Sequence, residues 1–486
     1  VSPRIARARH PAHALALLAL PVLLAACNTA PPYQKPVLQM PAKWKLEDSW
    51  RVATPADAIP KGEWWRRFGD PELDALEARA LAGNPTLAIA SARLKQAGAG
   101  LEAASAGRYP QLGVVGRDNR ARISANRPLT NNIAPNFTTT QTDMVFGLSA
   151  GYEVDLAGRV SNTIANAKAT AEQSAADYEN VKLVLAADLA TAYFNLRAID
   201  VELDVLARGI ALQRRSLALA TSRRELGAAS GLDVAQPQAL LDSTLTQVDV
   251  LRRQRGQFEN AIATLTGTPA PQFSLPPSPK VVPPPSVPIG LPSDLLERRP
   301  DVAGAERAMA AANAQIGVAN SAFYPSISLG ALIGTESRLE RLLFNTASGI
   351  WSLGFTLAQP LFDGGRIRAN VDGAKAAYEA TEANYRRVVL TAMQEAEDGI
   401  VGLSALERAH RQAQVAVVSA TRVLDLANAR YEGGVANMVD VINAETARLA
   451  SERLAAQLAG QRLLVSVFLI KALGGDWEGA EKTAQR

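Results

Sequence analysis

Cysteine is almost missing from the 486-residue chain: a single residue, Cys27, rules out an internal disulfide framework and a cysteine-built zinc or iron–sulfur site. Histidine is nearly as scarce. His10, His13 and His410 are too few for a histidine metal cluster and leave a catalytic serine without a general base, apart from the isolated His410. No P-loop, dinucleotide glycine fingerprint or His-Glu metal motif occurs, and Gly364-Gly365 lacks a phosphate-binding lysine. A surplus of one charge is absent too: 51 basic residues face 47 acidic ones, and Arg4, Arg7 and Arg9 fall in a segment expected to be removed. The remaining balance near +1 predicts no nucleic-acid partner. With 48% hydrophobic and 20% charged residues the chain is neither disordered nor collagen-like.

The first 26 residues read as an address. Residues 1 to 13 hold three arginines and no acid, and Ala14 to Ala26 form a short apolar run that is too brief to span a membrane. The run ends Leu24-Ala25-Ala26-Cys27, which resembles the lipobox of bacterial lipoproteins. The resemblance implies cleavage before Cys27, diacylglycerol and N-acyl lipid on that residue, and export; Asn28, not being aspartate, favours sorting to the outer membrane. No other cofactor is expected. No later stretch of about 18 uncharged apolar residues predicts a transmembrane helix.

The chain is written twice. Gly158-Arg159 aligns with Gly365-Arg366, Gly227 with Gly434, Asp233-Val234 with Asp440-Val441 and Gly267 with Gly474, always at an offset of 207. A constant offset over more than a hundred residues means that the lengths themselves matter. The expected organisation is a signal peptide over 1–26, an extended lipid-anchored segment over 27–69, a first repeat over 70–267, a proline-rich connector over 268–292, a second repeat over 293–474 and a tail over 475–486.

Each repeat opens with a helix, Asp70 to Gly107 or Ser293 to Ala322, stopped by Tyr109-Pro110 or Tyr324-Pro325. Period-two alternation follows, as in Trp351, Leu353, Phe355 and Leu357 interleaved with Ser352, Gly354 and Thr356, and predicts β-hairpins over 111–156 and 326–362. Residues 160–208 contain neither Gly nor Pro and 210–226 continue without either, which predicts a helix of about 100 Å at 1.5 Å per residue. Its counterpart runs over 367–432, and return helices are expected over 232–266 and 435–473. Alanine-rich, coiled-coil-like spacing suits close lateral packing of such helices.

Strands of about ten residues match a bilayer crossing, with apolar faces toward lipid and small or polar residues inward. Four strands cannot close, and open edges are forbidden in hydrocarbon, so other copies must complete the sheet. A dimer supplies eight strands and a filled interior; a trimer supplies twelve and a lumen. Tyr109, Tyr152, Phe323, Tyr324 and Trp351 fall near strand ends, where aromatic rings suit the membrane interface; for Phe323 and Tyr324 the core at the strand–helix junction is the alternative. The alternative for these segments is a soluble β-sandwich edge joined to a coiled coil.

Several motifs then carry a resemblance: Trp64-Trp65 with Phe68-Gly69-Asp70-Pro71, Ala80-Leu81 with Asn84-Pro85, Glu297-Arg298-Arg299-Pro300-Asp301, Ala322-Phe323-Tyr324-Pro325, Pro360 to Arg366, and Arg430-Tyr431-Glu432-Gly433-Gly434. The mature chain resembles outer-membrane efflux lipoproteins of the TolC/OprM class, NodT-like subgroup. The resemblance implies a homotrimer with a 12-stranded transmembrane β-barrel on a 12-helix periplasmic tunnel. It also implies docking to a periplasmic adaptor and an inner-membrane transporter of RND type, and passive conduction of small molecules.

The helix turns Leu226-Gly227-Ala228 and Gly433-Gly434-Val435 are expected at the periplasmic tip, as adaptor contacts, as glycine C-caps, or both. Asp233 and Asp440 follow Ser230 and Asn437 by three residues, a capping-box spacing. The resemblance also implies a gate in which Tyr431 bonds Asp233. Asp440, once per subunit, is expected to form a carboxylate ring that attracts cations at the constriction. Ala436 and Asn443 stand where some family members carry arginine and aspartate, so that lock is looser here.

Two other classes compete. An exported enzyme would have to hide its acids among solvated helix charges. A periplasmic adaptor would carry one helical hairpin flanked by soluble β domains, not two hairpins of each kind.

Overall fold

In a computed structural model, residues 29–36, 41, 44, 62–126, 138–280, 282–287 and 298–475 are described. Cys27 and the segment 1–26 expected to be a signal peptide lie outside them. Among the described residues seven α-helices and four strands are ordered as α1 (Pro71–Gly83), α2 (Pro85–Ala106), β1 (Gln111–Ile123), β2 (Thr139–Val154), α3 (Arg159–Glu225), α4 (Gly231–Leu265), α5 (Pro300–Ser321), β3 (Ser326–Ser337), β4 (Gly349–Ala358), α6 (Arg366–Glu432) and α7 (Met438–Ala472). The duplication is reproduced residue for residue in the long helices: α3 and α6 both have 67 residues, and α4 and α7 both have 35.

Two expectations at the N-terminal side are corrected. The helix expected over Asp70 to Gly107 is two helices, because Pro85 has no N–H and forces Asn84 into extended backbone (φ −74°, ψ 123°). Asn84 then serves both sides of the break, accepting from the N–H groups of Thr86 (2.8 Å) and Leu87 (3.1 Å) while its amide donates to the Leu265 carbonyl at 2.8 Å. The segment expected to be extended up to residue 69 ends in a 3-10 turn, Trp64–Phe68, whose three aromatic residues are buried. The second return helix begins at Met438, three residues later than expected, because Asn437 is its N-cap. The helix expected from Ser293 is described only from Pro300.

One compact unit takes in Lys95–Gln173 and Glu306–Ala383 together with the chain up to Pro36. It holds a single antiparallel sheet in the order β1-β2-β3-β4. Gly147 pairs with Gly334, and a Cβ at Gly147 would lie 2.6 Å from the Ile333 carbonyl oxygen, so the strands approach there only because both residues lack side chains. The chain around Thr29 is strapped to this unit: the Thr29 hydroxyl lies 2.9 Å from the carbonyls of Ala157 and Gly317, and Asn320 and Asn313 donate to the carbonyls of Thr29 and Pro31.

The second unit takes in Val37–Leu94, Ser174–Ala305 and Asn384–Arg486 and contains the main core, built from Trp64, Phe68, Leu73, Leu189, Tyr193, Phe194, Val389, Ile400 and Val467 among others. Asp70 shows how the Phe68-Gly69-Asp70-Pro71 motif works: its carboxylate caps α1 through the Glu72 N–H at 3.0 Å and accepts from the Tyr193 hydroxyl at 2.6 Å. Arg299 explains the second motif by joining Asp301 (2.6 Å), Glu395 (2.7 Å) and the Ala472 carbonyl (2.9 Å). Part of α7 reaches a mean hydropathy of 1.3 over 18 residues, enough by composition for a membrane span. Leu463, Val467, Leu469 and Ile470 are nevertheless buried in the core, which accounts for that apolarity.

Candidate functional site

Two surfaces carry functional geometry, one in each unit. In the sheet, register places Leu112 beside Ala150, Ala331 and Leu353, and Val114 beside Leu148, Ile333 and Trp351. Phe146, Tyr152, Ile327, Leu329, Phe355 and Leu357 extend the same face. Its largest members stand free of the protein, Trp351 at 80% and Leu353 at 77% exposure. The opposite face is mostly small or polar, with Gly113, Ser149, Gly151, Ser328, Gly330, Ser352, Gly354 and Thr356 and an Arg117–Asp143 ion pair at 2.5 Å, interrupted by Val115, Val145, Leu332 and Ile350. An apolar face of this extent requires an apolar medium. Strands β1 and β4 each have a neighbour on one side only, so both ends of the sheet offer unpaired backbone.

In the other unit the two long-helix reversals share one construction. Helix α3 ends where Gly227 takes φ 77°, with the Ala228 N–H on the Arg223 carbonyl (2.8 Å) and the Gly227 N–H on the Arg224 carbonyl (2.9 Å). Helix α6 ends with Gly434 at φ 73°, the Val435 N–H on the Arg430 carbonyl (2.9 Å) and the Gly434 N–H on the Tyr431 carbonyl (3.1 Å). Both are Schellman motifs, in which the left-handed residue is glycine because a Cβ would be strained there. At their apices Leu226 is 84% and Val435 69% exposed, an apolar tip to each turn.

A model of the outer membrane efflux protein family matches residues 76–268 and again 291–475, one stretch in each repeat. The chain belongs to the outer membrane efflux protein family. This efflux protein is 31% identical to the pyoverdine export outer membrane protein OpmQ of Pseudomonas aeruginosa over 96% of its own length and 97% of that protein's. It is equally similar, at 31%, to OprJ of the same species, over 97% of both chains. Among solved structures, the outer-membrane channel OprN superposes with a TM-score of 0.85 at 27% identity, covering 93% of this chain and all of that one. The Campylobacter jejuni CmeC outer membrane channel superposes at 0.83 and 26% identity, over 94% and 97%. The chain is thus an outer-membrane efflux channel protein, with the α-helical and β-hairpin fold of that class.

The expected gate residues of this efflux protein are arranged differently from the expected Tyr431–Asp233 bond. The Asp233 carboxylate is engaged at the start of its own helix, accepting from the N–H and the hydroxyl of Ser230, both at 2.7 Å. Ser230 accepts in return from the Asp233 N–H at 3.3 Å, completing a capping box. Those hydrogen bonds hold the Asp233 carboxyl below the usual carboxylate range. Tyr431 is buried in a small cluster with Leu424, Met438, Val441 and Ala444. Among the described residues no hydrogen bond joins it to Asp233. Asp440 and Asn443 are exposed; the Asp440 N–H donates to the Asn437 side chain at 3.0 Å.

The residue that does reach Tyr431 was not foreseen from the sequence. Arg223 lays its guanidinium over the Tyr431 ring at 4.3 Å and donates to the carbonyls of Tyr431 (3.2 Å) and Glu432 (3.4 Å). It therefore caps the negative end of α6 from the tip of α3. The available signal was a basic residue in the last turn of α3 opposite an aromatic in the last turn of α6. Pro237 was also missed: it is buried inside α4 and removes the bond that an N–H at that position would make to the Asp233 carbonyl, loosening the start of this return helix. Its counterpart in α7 is Ala444.

Proposed function

We propose that three copies of this chain form a passive outer-membrane duct, that a periplasmic adaptor docks on the helix tips, and that an inner-membrane transporter of RND type supplies the exported molecules. The observation that carries the reading is the four-stranded sheet with one lipid-compatible face, one mostly small or polar face and two unpaired edges. Three such sheets pair β4 of each copy with β1 of the next, giving twelve strands with no edge left and an interior wide enough for a lumen.

No step of the transport requires chemistry, and the tip residues serve closure and docking. Exposed Leu226 and Val435, backed by Gly227, Gly433 and Gly434 and flanked by Ala228, give an adaptor apolar points on a rigid turn. Asp440, three times in the trimer, supplies a carboxylate ring at the constriction, with Asn443 one helical turn behind it. Asp233 and Tyr431 act on the gate through helix caps and packing, not through a bond to each other. Relatives named for pyoverdine export, antibiotic efflux and toluene efflux support small organic molecules as the exported class.

Lipid anchoring at Cys27 is supported by the strap beside it. Thr29 is fixed to Ala157 and Gly317, next to where β2 passes into α3, and two residues span at most about 7 Å.

Planar-bilayer conductance of purified mature protein tests the function. Discrete steps that shrink, and lose block by polyvalent cations, in Asp440→Ala support both the channel and its constriction. Steps indifferent to Asp440→Ala keep the channel and discard the ring. Correctly assembled trimers that insert and never conduct, even with adaptor added, would overturn the duct.

A further inference from the structure

The apolar face of the sheet stops short of the end of β1. Beyond Gly116 the residues of that face are Asp118, Arg120 and Arg122, all exposed, opposite Met144, Thr142 and Thr140 of β2. Arg122 Nε donates to the Thr138 hydroxyl at 3.3 Å. Among the described residues neither Arg120 nor Arg122 makes an ion pair, whereas Arg117, on the other face, is closed onto Asp143. Among the described residues the outward arginines are therefore the ones without an ion-pair partner, with Asp118 two positions from Arg120 on the same face.

Their depth is set by the strand. Arg122 lies ten residues beyond Leu112, about 34 Å along an extended strand, and a tilt of roughly 40° turns that into a climb of about 26 Å, the height of a barrel's apolar band. Near midplane an outward arginine costs about 2–4 kcal/mol, and at the border close to nothing. The border in question is at the hairpin turn, the end of the sheet away from the starts of α3 and α6, and so at the outer leaflet.

We propose that Arg120 and Arg122 form a rim site for the phosphorylated sugar headgroup of an outer-leaflet glycolipid. Guanidinium groups bind phosphate through paired N–H donors. Two of them at positions i and i+2 of one face stand about 7 Å apart, within reach of one headgroup. Thr140 and Thr142 line the adjacent strand on the same face and offer hydroxyls to the sugar. The site rests on the outer-membrane barrel reading and adds to it a specific lipid contact.

The test uses mature full-length protein in nanodiscs containing equal amounts of diphosphoryl lipid A and phosphatidylglycerol, with the lipids retained on the protein counted by native mass spectrometry. Wild type should retain lipid A preferentially, and R120A/R122A should lose about 25-fold in that preference, roughly fivefold for each arginine. R120K/R122K should keep part of it. Unchanged conductance steps in the alanine pair show that its barrel is intact. Equal retention of lipid A by wild type and the alanine pair would then overturn the site, and a wild-type preference for phosphatidylglycerol would overturn the choice of glycolipid. Wild-type protein that neither inserts nor conducts would overturn the barrel reading, and the site with it.

Discussion

The guanidinium of Arg223, on the last turn of α3, lies 4.3 Å from the centre of the Tyr431 ring, on the last turn of α6. One side chain thereby joins the tips of the two longest helices, stacking on an aromatic face and neutralising the carbonyl end of α6. Arg430, its counterpart in the second repeat, lacks the reciprocal partner, because Arg224 stands where Tyr431's counterpart would be. The latch is built once per chain.

Arg223→Ala should loosen the tips and raise single-channel conductance several-fold, leaving the yield of trimer unchanged. Tyr431→Phe keeps both the stacked ring and the backbone carbonyl, so its conductance should stay at the wild-type value. A leaky Tyr431→Phe channel would return the tyrosine hydroxyl, and a bond to Asp233, to the centre of the gate.

Asp233 is bound to Ser230 in the ionised form, which works out to a definite pH dependence. A carboxyl held below its ordinary value of 3.8 contributes stability that is present above that value and is lost as pH falls through the lowered one. Asp233→Ala should speed amide exchange over residues 231–236 about fivefold, the consequence of losing the N3 half of the capping box while the Ser230 N-cap remains. Exchange in the α7 cap, which rests on Asn437, should not change.

Glu77 gives the opposite sign. Burial pushes its carboxyl up to about 9, with Asp74 adding to the rise, and neither carboxylate oxygen has a partner among the described residues. The folded protein therefore binds a proton that the unfolded chain releases, so this contribution is full below about 4.5 and is lost as pH rises toward 9. Glu77→Gln should flatten the fall of the thermal midpoint between pH 5 and pH 8 and stabilise the protein at pH 8 by about 1–3 kcal/mol.

Gly147→Val should reduce trimer yield sharply, since its Cβ would press on the Ile333 carbonyl oxygen at 2.6 Å and part β2 from β3. Gly116→Val, where a Cβ meets nothing within 4 Å, is the control and should assemble normally in a heat-resistance gel assay.

Much of the fold was open to reading because its signals are local and periodic. Four long helices without proline breaks, apart from Pro237, and four alternating strands follow from residue spacing alone, and the 207-residue offset tied the two repeats together. The break at Asn84-Pro85 was equally local and still escaped the reading, since helical spacing continues on both sides of it. The candidate site was less open. The positions of the tip turns came from Gly227 and Gly434, but the partner of Tyr431 is 208 residues away in sequence and depends on how two separate helix ends meet.

From its sequence alone the protein has a doubled architecture, helix and strand lengths suited to a membrane duct, and caps at Ser230 and Asn437. All of these depend on neighbours within a few residues or on repetition along the chain. Tertiary structure alone decided that Asp233 closes on its own cap, that Arg223 reaches Tyr431, that Glu77 is sealed from water without a hydrogen-bond partner among the described residues, and that Arg120 and Arg122 share a face with Leu112 and Val114 in a paired sheet. Each of those outcomes turns on which groups meet across the fold and which lose water, and the order of residues along the chain does not state that.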